Sequence, residues 1–224
     1  MLTSKMTGIR FRVCGLLVMF ALVHSCPDYC RGEGGDGGNG GLVDIVKINP
    51  RIKVEMRYAT TNNFTKKTLY SFDACFLQKP VAMALSEVQD DLEKEGLGLK
   101  VWDCYRPLSV QRELWKIIPD PRYVADPKKG SKHNRGTAVD LTLIDANGKE
   151  LEMPTGFDDF SERAHRSFND LPEIQARNRK RLADAMQGKG FVGTPSEWWH
   201  FDWADWKNYP VSDDPIPQGQ PNSH

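Results

Sequence analysis

The sequence has no surplus of charge: thirty lysines and arginines balance thirty aspartates and glutamates. Nothing in that bulk balance would draw a polyanion, so no nucleic-acid partner is expected and binding is a matter of local chemistry. Cysteine is sparse, with five residues in 224 and no C-x-x-C pair, which excludes a disulfide-dense scaffold and a cysteine-ligated zinc site. Long hydrophobic runs are missing too. The apolar run Val13–Val23 has 11 residues, where a membrane-spanning helix needs about 20. Histidine is scarce: of five, His24 falls in the N-terminal apolar region and His224 is the last residue. Only His133, His165 and His200 are left to build a site. The 39% hydrophobic and 27% charged content is that of an ordinary globular chain, which excludes a coiled coil, a collagen and a fully disordered tail.

Lys5, Arg10 and Arg12 precede the apolar run, and no acidic residue occurs before Asp28. This pattern predicts a secretory signal peptide over residues 1–25, the alternative being a buried N-terminal helix. Val23-His24-Ser25-Cys26 resembles a lipoprotein box, so two processings stay open: a lipid on Cys26 that anchors the chain to a membrane, or plain cleavage and a free secreted protein. Either way the expected location is outside the cytoplasm, periplasmic or membrane-anchored, with full secretion as the alternative. Residues 26–41 are glycine-rich and polar and predict a flexible tether. The globular domain is expected over 42–209, and the proline-rich tail 210–224 is expected to wrap the surface or stay disordered.

Within the domain, Ile52–Tyr58 alternates apolar and polar as a half-buried strand does. Pro80 opens a helix with Val81, Leu85, Val88 and Leu92 on one stripe, and Gly96 ends it. Leu99–Asp103 reads as a strand, Ser109 as the cap of a short helix stopped by Pro119, and Thr137–Leu143 as a second alternating strand. Asn147-Gly148 predicts a hairpin turn into a short strand near Leu151, and Pro172–Gln187 a last helix. Strands and helices mix without a βαβ repeat, which favours an α+β fold, an antiparallel sheet flanked by helices in a single domain.

His133 and Asp140 lie in Ser131-Lys-His-Asn-Arg-Gly-Thr-Ala-Val-Asp140, and His200 closes Glu197-Trp-Trp-His200. Two histidines and a carboxylate are the protein ligands of a catalytic zinc with a fourth position open to water. A straight strand would put His133 and Asp140 roughly 23 Å apart at about 3.3 Å per residue, so the chain must bend between them. Gly136 is free to adopt the positive φ that such a bend uses. Asp140 then sits on the strand face of Ala138 and Thr142, where a buried charge needs a partner. Glu197, three residues before His200 on a short turn, is placed as general base of a hydrolytic reaction. His165 reads as structural, and Trp198, Trp199, Trp203 and Trp206 as mostly core, with one or two walling a pocket.

These segments resemble the zinc D-alanyl-D-alanine dipeptidases, the family that includes the vancomycin-resistance dipeptidases. The motifs S-x-H-x-x-G-x-A-x-D and E-x-W-H are met by Ser131–Asp140 and Glu197–His200. Arg57-Tyr-Ala-Thr, Val101-Trp-Asp-x-Tyr-Arg-Pro107, Gly156-Phe-Asp158 and Glu162-Arg-x-His165 follow family segments in order, over about residues 43–205. The resemblance implies one zinc held by His133, Asp140 and His200, Glu197 as catalytic base, and Arg106 stabilising the oxyanion of a small D-dipeptide substrate. It also places Ser131 and Asp158 at the substrate ammonium, with Tyr58 lining the cavity. The tandem Asp158-Asp159 departs from the commoner family text and leaves open which aspartate faces the pocket. Cys75 and Cys104, 29 residues apart, are compatible with a bridge and equally with two buried thiols.

Overall fold

The computed structural model describes residues 41–215. The expected signal peptide, Cys26, the tether up to residue 40 and tail residues 216–224 lie outside the described residues. Two sheets organise the rest. β1 (Leu42–Asp44) and β3 (Phe76–Gln78) form an antiparallel pair. The main sheet has the order β2 (Lys53–Val54), β4 (Leu97–Asp103), β5 (Ala138–Asp145), β7 (His200–Trp203), β6 (Phe191–Gly193). Its pairings are antiparallel except β2 with β4, which is parallel. The helices are the single turn α1 (Ile45–Ile48), α2 (Lys79–Glu93), α3 (Leu108–Ile117) and α4 (Glu173–Gln187). α2 and α4 pack on each other and on the sheet, the α+β arrangement expected from the sequence.

The α2 stripe Val81, Leu85, Val88 and Leu92 is fully buried, in one core with Val139, Leu141 and Leu143 of β5 and with Leu182 and Met186 of α4. Burying each such side chain contributes roughly 1.5–3 kcal/mol. The other face of β5 is buried as well, and it is polar: Asp140 is 3% exposed and Thr142 1%. Alternation in β5 therefore separates a hydrophobic core from a polar interior rather than from water.

The expected strand Ile52–Tyr58 is paired only at Lys53–Val54 and gives way to a 3-10 turn at Arg57–Ala59. The Asp73 carboxylate takes the Met56 N–H, and the Tyr58 carbonyl accepts from both Leu69 and Tyr70. These bonds draw the chain off the sheet edge. Ile52, Met56 and Tyr58 are nonetheless all buried, so the alternation reported burial and not pairing. The expected strand near Leu151 is likewise reduced to one bridge, Ile144 to Glu150, and a Leu151 N–H bond to Leu143. Pro154, which cannot donate to a ladder, follows closely.

Ser109 is not the cap of α3. The helix starts at Leu108 with Pro107 in the capping position, where no side chain accepts a bond. The cap comes from the tail instead: Asp213 Oδ1 accepts the Ser109 N–H at 2.6 Å and the Ser212 carbonyl accepts the Leu108 N–H at 3.2 Å. Ser212 also donates its N–H to the Asn134 carbonyl at 2.8 Å. The first residues of the tail are thus strapped across the start of α3 and the His133 turn. Cys75 and Cys104, both buried, form a disulfide with Cα atoms 5.4 Å apart, tying β3 to the end of β4.

Candidate active site

Register brings the metal-type ligands together. Asp140 of β5 is the pairing partner of His200, the first residue of β7, so the two side chains leave adjacent strands side by side. The sequence suggested a short turn at His200; the turn carries Glu197, and His200 is already in the strand. His133 opens a 3-10 turn, His133–Arg135, ended by Gly136 at φ 66°, and β5 starts two residues later. A left-handed residue there folds the turn back over the strand, and a Cβ on Gly136 would also meet the Leu42 side chain.

The ligand atoms of His133, Asp140 and His200 all lie within 4.8 Å of one another. His133 Nε2 is 3.2 Å from His200 Nδ1 and 3.3 Å from Asp140 Oδ2, and His200 Nδ1 is 2.9 Å from Asp140 Oδ1. The outer ring nitrogens fix what the inner ones offer. His133 Nδ1 is 2.7 Å from the Cys104 carbonyl, which can only accept, so that nitrogen carries the proton and Nε2 points a lone pair inward. His200 Nε2 is 2.8 Å from Asp202 Oδ1, which leaves its Nδ1 in the same condition. Three electron-pair donors thus converge in a buried place, an arrangement that calls for a cation. A proton is one such cation: burial pulls His200 down, yet hydrogen bonds to Asp140 and Asp202 outweigh it and push its pKa up to about 10, and a metal ion takes the place of that proton. Burial likewise raises Asp140, and the two histidines more than reverse this, holding it far below the usual carboxylate range. The donor set, two imidazoles and a carboxylate, fits zinc.

All eight residues singled out in the sequence line one cavity of about 430 Å³: Tyr58, Arg106, Ser131, His133, Asp140, Asp158, Glu197 and His200. Glu197 Oε2 is 3.9 Å from His200 Nδ1, and burial together with the Asp140 charge raises its pKa against the pull of the neighbouring cations. Arg106 is buried and held from behind: Nε and Nη2 donate to Asp103 Oδ2 at 3.0 and 2.5 Å, and Nη1 to Gln111 Oε1 at 2.8 Å. Three of its five N–H groups are engaged there, leaving the others for the cavity. Burial would lower its pKa, but Asp103 raises it well above the ordinary value, so the guanidinium stays charged. Ser131 accepts the His133 N–H on its hydroxyl at 3.2 Å.

The tandem aspartates separate cleanly. Asp158, at φ 57°, lines the cavity and accepts from the Tyr58 hydroxyl at 3.2 Å. Asp159 turns away to cap the Ser161 N–H at 2.9 Å. Burial and then the Asp140 charge raise Asp158 well above its ordinary pKa. His165 does not line the cavity, whereas Trp199 and Trp206 do.

The sequence reading missed the supporting residues. Asp103 accepts Arg106 on one oxygen and the Tyr70 hydroxyl, at 2.7 Å, on the other. Its signal was an acidic residue ending an apolar strand three positions before the arginine. Asp202, two residues past His200 on a strand, shares its face by the period of two. The Cys104 carbonyl and the Asn134 amide, which holds the Arg106 carbonyl at 2.7 Å, left no trace in the sequence.

Comparison with known proteins gives the family. Residues 39–220 match the peptidase M15 family, described as D-ala-D-ala dipeptidase. The chain is 43% identical over 170 residues to the D-alanyl-D-alanine dipeptidase of Escherichia coli K12, covering 76% of this chain and 88% of that one. It is 32% identical over 186 residues to the D-alanyl-D-alanine dipeptidase of Enterococcus faecalis V583, covering 74% and 92%. Among solved structures it is similar to the LdcB LD-carboxypeptidase with a TM-score of 0.42 and 20% identity, covering 76% of this chain and 71% of that one, a likeness too distant to bear on function. On the family match and these identities, the chain belongs to the M15 D-Ala-D-Ala dipeptidase family.

Proposed function

We propose that the protein is a zinc metallodipeptidase that hydrolyses D-alanyl-D-alanine and similar small D-dipeptides. The observation that carries this reading is the convergence of His133, Asp140 and His200, with inward lone pairs fixed by Cys104 and Asp202, in a cavity that also holds Glu197 and Arg106. Zinc on those three side chains supplies Lewis acidity toward a water and the scissile carbonyl. Glu197 takes the proton of the attacking water and delivers it to the departing amine nitrogen, a role worth typically ~10² to 10⁴ in rate. The free N–H groups of Arg106 face the carbonyl oxygen and stabilise the negative charge that grows there, with Asp103 and Gln111 fixing the guanidinium beforehand.

Asp158 and Ser131 receive the substrate ammonium. A carboxylate that burial keeps costly to ionise accepts a cationic terminus readily, because the ammonium supplies the missing charge. An acylated dipeptide has no such cation and a longer peptide carries it too far from the scissile bond, so either leaves Asp158 unpaired, which selects for free dipeptides.

The N-terminal pattern supports export, with anchoring through a lipid on Cys26. The Cys75–Cys104 bridge supports the same reading, since structural disulfides persist in oxidising compartments. An exported enzyme does not reach cytoplasmic D-Ala-D-Ala, so its role is wall turnover or recovery of D-alanine. The test is D-alanine release from D-Ala-D-Ala by the zinc-loaded protein, beside an N-acylated dipeptide. Faster cleavage of the free dipeptide is expected. Faster cleavage of the acylated one would replace this reading with a stem-peptide peptidase.

A further inference from the structure

The turn that carries Glu197 has little of its own to hold it. The Glu197 N–H reaches the Thr194 carbonyl only at 3.5 Å, and Pro195 has no N–H to give. The Glu197 carboxylate lies 3.9 Å from His200 Nδ1, beyond hydrogen-bond reach, and accepts no hydrogen bond among the described residues. The placement of the base is therefore set by the backbone of residues 194–200.

One residue gathers that backbone. Arg166 donates Nε to the Thr194 carbonyl at 2.8 Å and Nη2 to the Trp198 and His200 carbonyls, both at 2.9 Å, and its own backbone N–H goes to the Pro195 carbonyl at 2.9 Å. These acceptors lie on both sides of Glu197. The guanidinium sits over the Phe201 ring, with Cζ 4.2 Å from its centroid, and no carboxylate pairs with it among the described residues. Burial, and then the Arg179 charge, lower its pKa to about 10 against the pull of Glu197, so it stays cationic at neutral pH. A cation kept largely from water without a counter-ion is costly, and what offsets the cost here is a set of charge-assisted bonds to a single turn. Gly193, the register partner of Phe201, leaves the room for it: a Cβ there would collide with Arg166 Cζ. Gly193 is not at positive φ, so an alanine would meet the guanidinium and no backbone strain. We propose that Arg166 is a positioning residue for the general base. By holding carbonyls on both sides of Glu197 it fixes the turn from which the carboxylate reaches the attacking water, and Gly193 is the space it requires. This rests on the dipeptidase reading, with Glu197 as its base.

The test is steady-state hydrolysis of D-Ala-D-Ala by the zinc-loaded full chain, with metal analysis of every variant. Arg166→Ala is expected to lower kcat by roughly 10- to 100-fold, with KM and zinc content nearly unchanged. In a Glu197→Ala background the same change should cost less than about twofold, because a residue that only positions the base has nothing left to position. Gly193→Ala, which displaces the guanidinium without removing it, should also lower kcat and should cost nothing further once Arg166 is replaced. It decides the outcome if Arg166→Ala does not fold. An unimpaired kcat in the single variants, an equal loss with and without Glu197, or a loss of zinc overturns the proposal. The parent and Glu197→Ala alone test the dipeptidase reading, so an active parent matched by its Arg166 and Gly193 variants defeats this inference and leaves that reading intact.

Discussion

The two sides of the active cavity are built by different means. The metal side rests on the sheet: Asp140 and His200 are register partners on β5 and β7, and His133 reaches them from a single tight turn. The substrate side is carried by irregular chain: Tyr58 on a 3-10 turn, Asp158 in a left-handed loop, and Arg106 between β4 and α3. Ligands of one ion tolerate little positional error: strand pairing fixes the backbones of Asp140 and His200, and the Cys104 carbonyl and Asp202 then orient the two rings. Loop residues need outside support, and each has it: Asp103 and Gln111 behind Arg106, the Tyr58 hydroxyl on Asp158. Precision on one side starts from backbone pairing, and on the other it rests on side-chain hydrogen bonds alone.

The sharpest break of that contrast falls on the metal side. Asp140→Ala is expected to abolish stoichiometric zinc binding, and with it activity, as read by metal analysis and a D-alanine assay. Glu197→Ala should keep its zinc and lose ~10² to 10⁴ in kcat; parallel loss of metal would show that it is a ligand rather than a base. On the substrate side, Asp103→Asn should lower kcat/KM by roughly 10- to 100-fold, the usual effect of removing a supporting partner, with zinc content unchanged. An unaffected rate would mean that Gln111 alone positions Arg106.

Removal of the bridge by the Cys75→Ser, Cys104→Ser double variant should cost about 3–4 kcal/mol, from the chain-entropy relation for a loop of this length, read by denaturant unfolding. The smallest effect belongs to the tail. Asp213→Ala removes the α3 cap, at a cost of about 0.5–2 kcal/mol. Burial raises the Asp213 pKa, but the bonds from Ser109 and Arg112 together outweigh it and hold it below the ordinary value. Its contribution is therefore present above the unfolded-state pKa and is lost as pH falls through the folded one. The gap in Tm between parent and variant should narrow below about pH 4.

The metal side was legible in the sequence because its constraints are local. Gly136 marked the bend, and period-two alternation placed Asp140. The substrate side became legible only through resemblance to a family, since Arg106, Ser131 and Asp158 meet through tertiary folding with no periodic mark. The misreadings share that cause. Nothing near Ser109 indicates that Asp213, more than a hundred residues later, caps the helix. Nor does the Ile52–Tyr58 pattern say that Asp73 will pull Met56 off the sheet edge. Alternation identified which side chains are buried there, and hydrogen bonds from distant chain decided the backbone.

Cys104 has two attachments: its sulfur is bonded to Cys75, while its carbonyl orients the His133 ring. The covalent tie to β3 thus ends in the same residue whose carbonyl sets the tautomer of His133, so the point that anchors the end of β4 is also the point from which the metal side takes its aim.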